Sequence, residues 1–127
     1  MRTLKVGIVS TYLQEEIFTE YFQESEHYDL VAYYDLSADT TIDKSNIDIN
    51  FYTDWQEFLD LVDVVLISCS TDQIYSYAEK VLKKSKHIIF DNFIGVDIIE
   101  AKQILELSQE ANVEVHITNM NRKLLVM

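Results

Sequence analysis

Hydroxyl, carboxyl and thiol side chains stand directly after several apolar runs of this sequence. They are Ser10, Thr11, Tyr12, Asp35, Cys69 and Ser70. Hydroxyl groups brought together in this way can hydrogen-bond a small polar ligand, and a thiol becomes a nucleophile where its pKa is lowered. The pattern therefore indicates a ligand site, provided that the fold gathers the ends of these runs.

The same residues also have structural explanations. A Ser or Thr followed three residues later by Gln is a capping box, which starts a helix without any ligand. The chain has three such boxes: Thr11 to Gln14, Thr53 to Gln56 and Ser70 to Gln73. These boxes account for most of the hydroxyl groups, so an unliganded edge is the favoured interpretation.

Thiol and imidazole chemistry finds little support. Cys69 has no histidine near it in sequence, which favours a buried and inert thiol over a catalytic one. His27, His87 and His116 have no companion three or four residues away, so no metal site is predicted. We expect no catalytic residue among them.

The elements that would position these residues are read from periodicity, since the chain has no proline and two glycines. Six short apolar runs are predicted strands, and they span residues 4–10, 29–35, 47–52, 63–69, 86–91 and 113–118. Helical spacing is found after Thr11, after Thr53, from Ser70 to about Lys84, and over 96–112, whereas 36–46 is a polar loop. Predicted core positions of the last two helices are Ile74, Tyr77, Ala78, Val81 and Leu82, then Ile98, Ala101, Leu105 and Ser108.

Strands separated by helices imply right-handed crossovers and a parallel sheet with helices on both faces, a three-layer doubly wound α/β fold. Its 127 residues suit one domain, predicted over 1–118 and followed by an apolar tail at 119–127 that needs a partner surface. A receiver-like signalling domain has similar size and acidity. However, it needs an acidic pair after the first strand, where Ser10 and Thr11 stand.

Charge and cysteine content narrow the function further. A net charge of −12 opposes binding to nucleic acid and to acidic membranes, because ten Lys and Arg are scattered along the chain. No stretch has the roughly 18 apolar residues of a membrane span. The single cysteine forms no internal disulfide, so we expect a cytoplasmic protein.

Several segments resemble the N-terminal domain of one enzyme family. KVGIVS, then Asp35, DVVLIS, SKHIIFDNF and a strand followed by NMNR occur in the order seen in the glucose-fructose oxidoreductase and inositol dehydrogenase family, Gfo/Idh/MocA. The resemblance implies a Rossmann-type sheet of about six strands in the order 3-2-1-4-5-6. It also implies that a dinucleotide, if one binds, contacts the six residues named at the outset, with Asp35 holding the ribose and favouring NAD over NADP.

This sequence departs from the family at its functional positions. The family's G-x-G-x-x-G loop falls on Ser10, Tyr12 and Glu15, and the lysine of its Glu-Lys-Pro motif falls on Asn92. The family's substrate pocket is in a second domain, for which 127 residues leave no room. We therefore expect no cofactor and a non-catalytic domain that acts through protein contacts, as a homodimer or with another chain. The alternative is a residual NAD(P)-binding oxidoreductase domain whose substrate domain another chain supplies.

Overall fold

A six-stranded sheet forms the centre of the molecule. The computed structural model describes residues 3–10, 26–35, 50–69, 71–91 and 97–118. The strands are β1 (Leu4–Ser10), β2 (Tyr28–Asp35), β3 (Asn50–Tyr52), β4 (Val64–Ser68), β5 (His87–Asp91) and β6 (Val115–Thr118). All neighbouring strands are parallel, in the order β3-β2-β1-β4-β5-β6. This confirms the predicted strand order.

Three helices are described: α1 (Trp55–Leu61), α2 (Thr71–Lys83) and α3 (Ile98–Ala111). The helix predicted after Thr11 and the polar loop at 36–46 lie outside the described residues, as does the tail at 119–127. None of the described helices is long and apolar enough to cross a membrane. Two of the predicted capping boxes cannot be compared, because Thr11 and Ser70 are not described.

The start of α1 differs from the prediction by one residue. Asp54, not Thr53, is the N-cap, and its Oδ1 accepts a hydrogen bond of 3.1 Å from the Glu57 backbone N–H. The Thr53 to Gln56 box is therefore wrong. A carboxylate both accepts this bond and favours the positive end of the helix dipole, so Asp54 is the better cap of the two neighbours.

The sheet buries apolar side chains on both faces. On the face that α1 and α2 cover, the buried strand residues are Val9, Ala32, Val65, Ile67, Ile88 and Phe90. On the opposite face they are Val6, Ile8, Tyr33, Val64 and Leu66. The predicted core positions of α2 are confirmed at Ile74, Ala78, Val81 and Leu82, whereas Tyr77 is only partly buried.

Gly7 lets α1 approach β1 closely. A Cβ at this position would lie 2.6 Å from Cζ of Phe58 and 2.8 Å from Cγ1 of Val62. Beside it, the pairing of β1 with β2 shifts register between Val6 and Gly7, and the extra β2 residue is Val31. The absence of a side chain at Gly7 therefore gives the Phe58 ring its place on the sheet.

The predicted core face of α3 is confirmed at Ser108 and wrong at Ile98 and Leu105. Ile104 and Ser108 are the buried residues, whereas Ile98 and Leu105 are 71% and 55% exposed. Ser108 is tolerated in the core because its Oγ donates a hydrogen bond of 2.7 Å to the Leu105 carbonyl oxygen. The helix ends at Ala111 and is capped by Asn112, whose backbone is left-handed (φ 56°). β6 therefore begins at Val115, two residues after the predicted start of this strand.

Candidate functional site

The carboxyl ends of the three central strands bring the predicted site positions together. Ser10 at the end of β1 pairs in register with Asp35 on β2 and with Ser68 on β4. Neighbouring strands are about 4.8 Å apart, so these positions form one short row, and Cys69 follows Ser68 directly. The other predicted site residues, Thr11, Tyr12 and Ser70, lie outside the described part of the chain.

This row stands at the point where the strand order reverses. From β1 the sheet extends toward β2 on one side and toward β4 on the other. In open parallel sheets a ligand binds in the crevice beyond the carboxyl ends at such a switch point. The geometry therefore assigns the candidate site to the edge that the sequence indicated.

Cys69 carries the thiol of this row and is its candidate nucleophile. It is partly buried, and burial, followed by the charge of Asp72, raises the pKa of its thiol to about 11. A thiol of this pKa is almost entirely protonated at neutral pH. Its electrostatic surroundings are thus the reverse of those that activate a catalytic cysteine.

An aromatic cluster, which the sequence reasoning missed, adjoins the row. It consists of Tyr34, Trp55, Phe58 and Tyr77. The ring centroids of Trp55 are 5.1 Å from Tyr34 and 5.2 Å from Tyr77, and Lys80 Nζ lies 5.0 Å from the Tyr77 centroid. Burial, then the neighbouring Tyr34 and Cys69, raises the pKa of the Tyr77 hydroxyl.

The aromatic cluster joins β2, α1 and α2 beside the candidate site. Tyr34 immediately precedes Asp35, and Trp55 is the first residue of α1. Edge-to-face and tilted ring pairs of this kind add about 0.5 to 1.5 kcal/mol each beyond their buried area. The signal in the sequence was Tyr34 next to the predicted end of β2 and Trp55 near the predicted start of α1.

The histidines have structural surroundings. His87 Nδ1 accepts a hydrogen bond of 3.0 Å from the Glu114 backbone N–H. This bond links the first residue of β5 to the residue that precedes β6. His116 lies 3.4 Å from Glu114 and is exposed. Within the described ranges, no three His, Cys, Asp or Glu side chains are grouped so as to hold a metal ion.

A parallel sheet of this order, which reverses between β1 and β4, defines the class of Rossmann-type α/β domains. Within that class, the chain belongs to the Gfo/Idh/MocA oxidoreductase family. The family model, described as an oxidoreductase family with an NAD-binding Rossmann fold, matches residues 4–119.

Two solved structures have a similar fold. Biliverdin reductase from Synechocystis sp. PCC 6803, in complex with biliverdin and NADP+, has a TM-score of 0.79 and 22% identity, over 94% of this chain and 39% of its own. UDP-N-acetylglucosamine 3-dehydrogenase GnnA from Acidithiobacillus ferrooxidans has a TM-score of 0.79 and 18% identity, over 97% and 40%. At these identities the likeness shows the fold alone.

The chain spans about two fifths of the length of these two solved proteins. No curated protein matches the sequence. Family and fold are therefore established, while the reaction and ligand of either structure belong to that protein.

Proposed function

We propose that this Rossmann domain carries out no dehydrogenase reaction and acts through contacts with other protein chains. The observation that carries the proposal is the set of side chains at the three positions where the family has loop glycines. Ser10, Tyr12 and Glu15 occupy them, and Ser10 ends β1 at the switch point of the sheet.

Each replacement opposes a dinucleotide for its own physical reason. The family's glycines allow a tight turn, close approach of backbone amides to the pyrophosphate, and close packing of helix on strand. At the positions of the second and third glycines this sequence has the ring of Tyr12 and the carboxylate of Glu15. In the family's loop geometry the ring would exclude the pyrophosphate from the backbone amides, and the carboxylate would compete with phosphate for the helix dipole. The residues of this loop therefore do not fit a pyrophosphate held in the family's manner.

The reactive end of the site is altered as well. Asn92 stands where the family has the lysine of its Glu-Lys-Pro motif, so the positive charge at that position is lost. Cys69, with its pKa raised to about 11, supplies no reactive thiolate in its place at neutral pH. Both changes favour a domain without turnover.

A thermal shift series with NAD, NADH, NADP and NADPH tests the proposal. A ligand at 100 times its dissociation constant stabilises a protein by about 2.7 kcal/mol, which corresponds to a rise on the order of 10 °C in Tm for a domain of this size. We expect an unchanged Tm at millimolar concentrations of all four dinucleotides. A clear rise with any of them would overturn the proposal.

A variant with the family's loop supplies the matched control. Ser10→Gly, Tyr12→Gly and Glu15→Gly together remove the three obstructing side chains. If the loop is the obstacle, the triple variant should gain a dinucleotide-dependent rise in Tm, provided that circular dichroism shows an intact fold. A folded triple variant with no gain would contradict the role that we assign to the loop.

A second candidate function is a residual NAD-binding oxidoreductase domain completed by another chain. The observation in its favour is Asp35, which keeps the acidic position at the end of β2 and pairs in register with Ser10. This function requires that the wild type be stabilised by NAD and that Asp35→Ala remove the effect. The same thermal series thus separates the two candidates.

The proposed partner is a second copy of this chain or another protein, and the proposed compartment is the cytoplasm. Nucleic acid and membrane are not proposed, since the chain has a net charge of −12. Four of the five large apolar side chains that are exposed in the described part of the chain belong to α3 and β6. Exposed apolar side chains gathered in one region are typical of a protein contact surface.

A further inference from the structure

The outer end of the sheet carries an apolar surface that the proposed protein contacts would use. We define the edge patch as Ile98 and Leu105 of α3 and Ile117 of β6, which are 71%, 55% and 62% exposed. Ile117 pairs in register with the buried Phe90 and therefore points to the same face of the sheet, which is the face that carries α3. The three side chains thus share one face of the molecule.

Helical geometry assigns the edge patch to the outer side of α3. Ile104 and Ser108 are the buried residues of α3, and Leu107 beside them packs against the same core as the buried side chains of α2. At 3.6 residues per turn, Ile98 and Leu105 lie about 100° to 120° around the helix from Ile104. They therefore lie outside the buried side of α3, in agreement with their exposure.

β6 is an edge strand with few features that would block pairing. It bonds to β5 on one side, and no described strand lies on the other. Its four residues, Val115 to Thr118, include no proline, lysine or acidic side chain of the kind that blunts edge strands. Such an edge can add a strand from another chain.

The charges of α3 are complementary to those of a second copy in antiparallel orientation. Lys102 and Glu106 are both exposed, and they stand two residues on either side of Ile104, at the middle of the helix Ile98–Ala111. A two-fold axis passing there brings Lys102 of each copy near Glu106 of the other. An acidic partner would leave Glu106 repelled, and a basic partner would leave Lys102 repelled.

The same two-fold axis suits the strands and the helices together. Right-handed crossover places α3 above β5 and β6, and strands pair about 4.8 Å apart. If β6 of one copy pairs antiparallel with β6 of the other, the two α3 helices come to roughly 10 Å apart, which is a normal helix packing distance. Both edge patches are then covered at one interface of the self-complementary kind.

We propose that two copies of this chain associate through β6 and α3, pairing the β6 strands antiparallel and packing the edge patches across a two-fold axis. This inference rests on the protein-contact function proposed above and names its partner and surface. It is independent of the dinucleotide experiments, so each can fail without the other.

Sedimentation of the full chain and three matched variants at physiological salt tests the surface. The wild type should be dimeric, and Leu105→Glu and Ile117→Lys should each weaken dimerisation by at least about tenfold, because each buries a charge against apolar side chains. Leu61→Glu is the control, since Leu61 is 40% exposed on α1, away from the edge. Circular dichroism should show the same fold in all four proteins.

A charge exchange tests the antiparallel geometry. Lys102→Glu or Glu106→Lys alone places two like-charged pairs across the axis and should weaken the dimer by about tenfold. The double variant restores opposite charges and should recover most of the loss. Because Lys102 and Glu106 are also four residues apart on α3, the double variant restores opposite charges within the helix as well. The decisive measurement is a mixture of the two single variants, which pairs opposite charges only across the axis and should recover the association.

Two results would overturn the inference. One is a monomeric wild type at about 100 µM, a concentration at which even weak specific dimers are populated. The other is a dimer that Leu105→Glu and Ile117→Lys leave intact, which would mean that the chain associates through a different surface. If serine substitutions at Leu124, Leu125 and Val126 abolish such a dimer, that surface is the apolar tail.

Discussion

At the centre of the sheet, β1 and β4 bury side chains such as Val9, Ile8 and Leu66 with no exposure, whereas at the β6 edge Ile117 is 62% exposed. Both regions are rich in branched apolar residues, so composition does not distinguish them. What differs is the number of neighbouring strands: β1 and β4 have a strand on each side, whereas in the described part of the chain β6 has only β5 beside it. Apolar side chains therefore stabilise the fold at the centre, whereas at the edge they form the surface that we propose for association.

The helices repeat this contrast. α2 buries four apolar residues against the sheet, while α3 buries Ile104 and Ser108 and exposes Ile98, Ile99 and Leu105. A helix over the middle of a sheet has neighbouring elements on both flanks. A helix at the end of a sheet has one open flank, on which apolar side chains can remain exposed. Substitutions at the two regions should consequently differ in the quantity that they change.

The largest expected difference is between Phe58→Ala and Leu105→Ala. Phe58 is fully buried between β1 and the rings of Tyr34 and Trp55, so truncation should cost about 3 to 5 kcal/mol of unfolding free energy. Leu105→Ala should change that free energy by less than about 0.5 kcal/mol. Denaturant unfolding at one low protein concentration measures both without a contribution from association. Equal losses would refute the distinction between centre and edge.

The parallel sheet and its helix-covered core could be predicted because they follow from one local signal, whereas the strand order came from the resemblance to the family. Each of the six strands is a short apolar run, and alternation with helices leaves few topologies under the right-handed crossover rule. The prediction of Ser10, Asp35 and Cys69 at one edge succeeded for the same reason, since carboxyl ends of parallel strands coincide.

The errors arose where one local sequence pattern is compatible with two different structures. α3 carries apolar residues on two sides, so periodicity chose Ile98 and Leu105 where the fold buries Ile104. At the start of α1, Thr53 and Asp54 both have a capping side chain. The aromatic cluster could not be found from spacing, because its members come from β2, α1 and α2 and meet only in three dimensions.

A smaller effect is expected from Gly7→Ala, which probes how closely the centre is packed. The added Cβ would meet Cζ and Cε1 of Phe58 at 2.6 and 2.7 Å, so the ring must shift, at a cost of about 1 to 3 kcal/mol. In a Phe58→Leu background those ring atoms are absent. Chemical denaturation of the four proteins should then show a loss for Gly7→Ala that is smaller by at least about 0.5 kcal/mol. If the two losses of unfolding free energy were simply additive, Phe58 would not be the side chain that limits how closely α1 approaches β1.

The smallest expected effect is on the rate at which a thiol is alkylated. One reagent can compare this rate at Cys69, beside the centre of the sheet, with the rate at the β6 edge. At pH 8.5, a pKa of about 11 lowers the thiolate fraction of Cys69 about 100-fold relative to a free cysteine. The greater nucleophilicity of a more basic thiolate offsets this about tenfold, so alkylation by iodoacetamide should be roughly ten times slower.

The matched control for this reaction is a cysteine at the edge, Leu105→Cys in a Cys69→Ala background, at a protein concentration low enough for the proposed dimer to dissociate. This cysteine should react at the rate of a free thiol. The Cys69 rate should keep rising as pH increases toward 11, whereas the rate of the edge cysteine should level off near pH 9 to 10. Asp72→Asn removes the second cause of the shift and should move the Cys69 profile slightly to lower pH. Coincident profiles for the two cysteines would show that the carboxyl end of β4 is as open as the β6 edge.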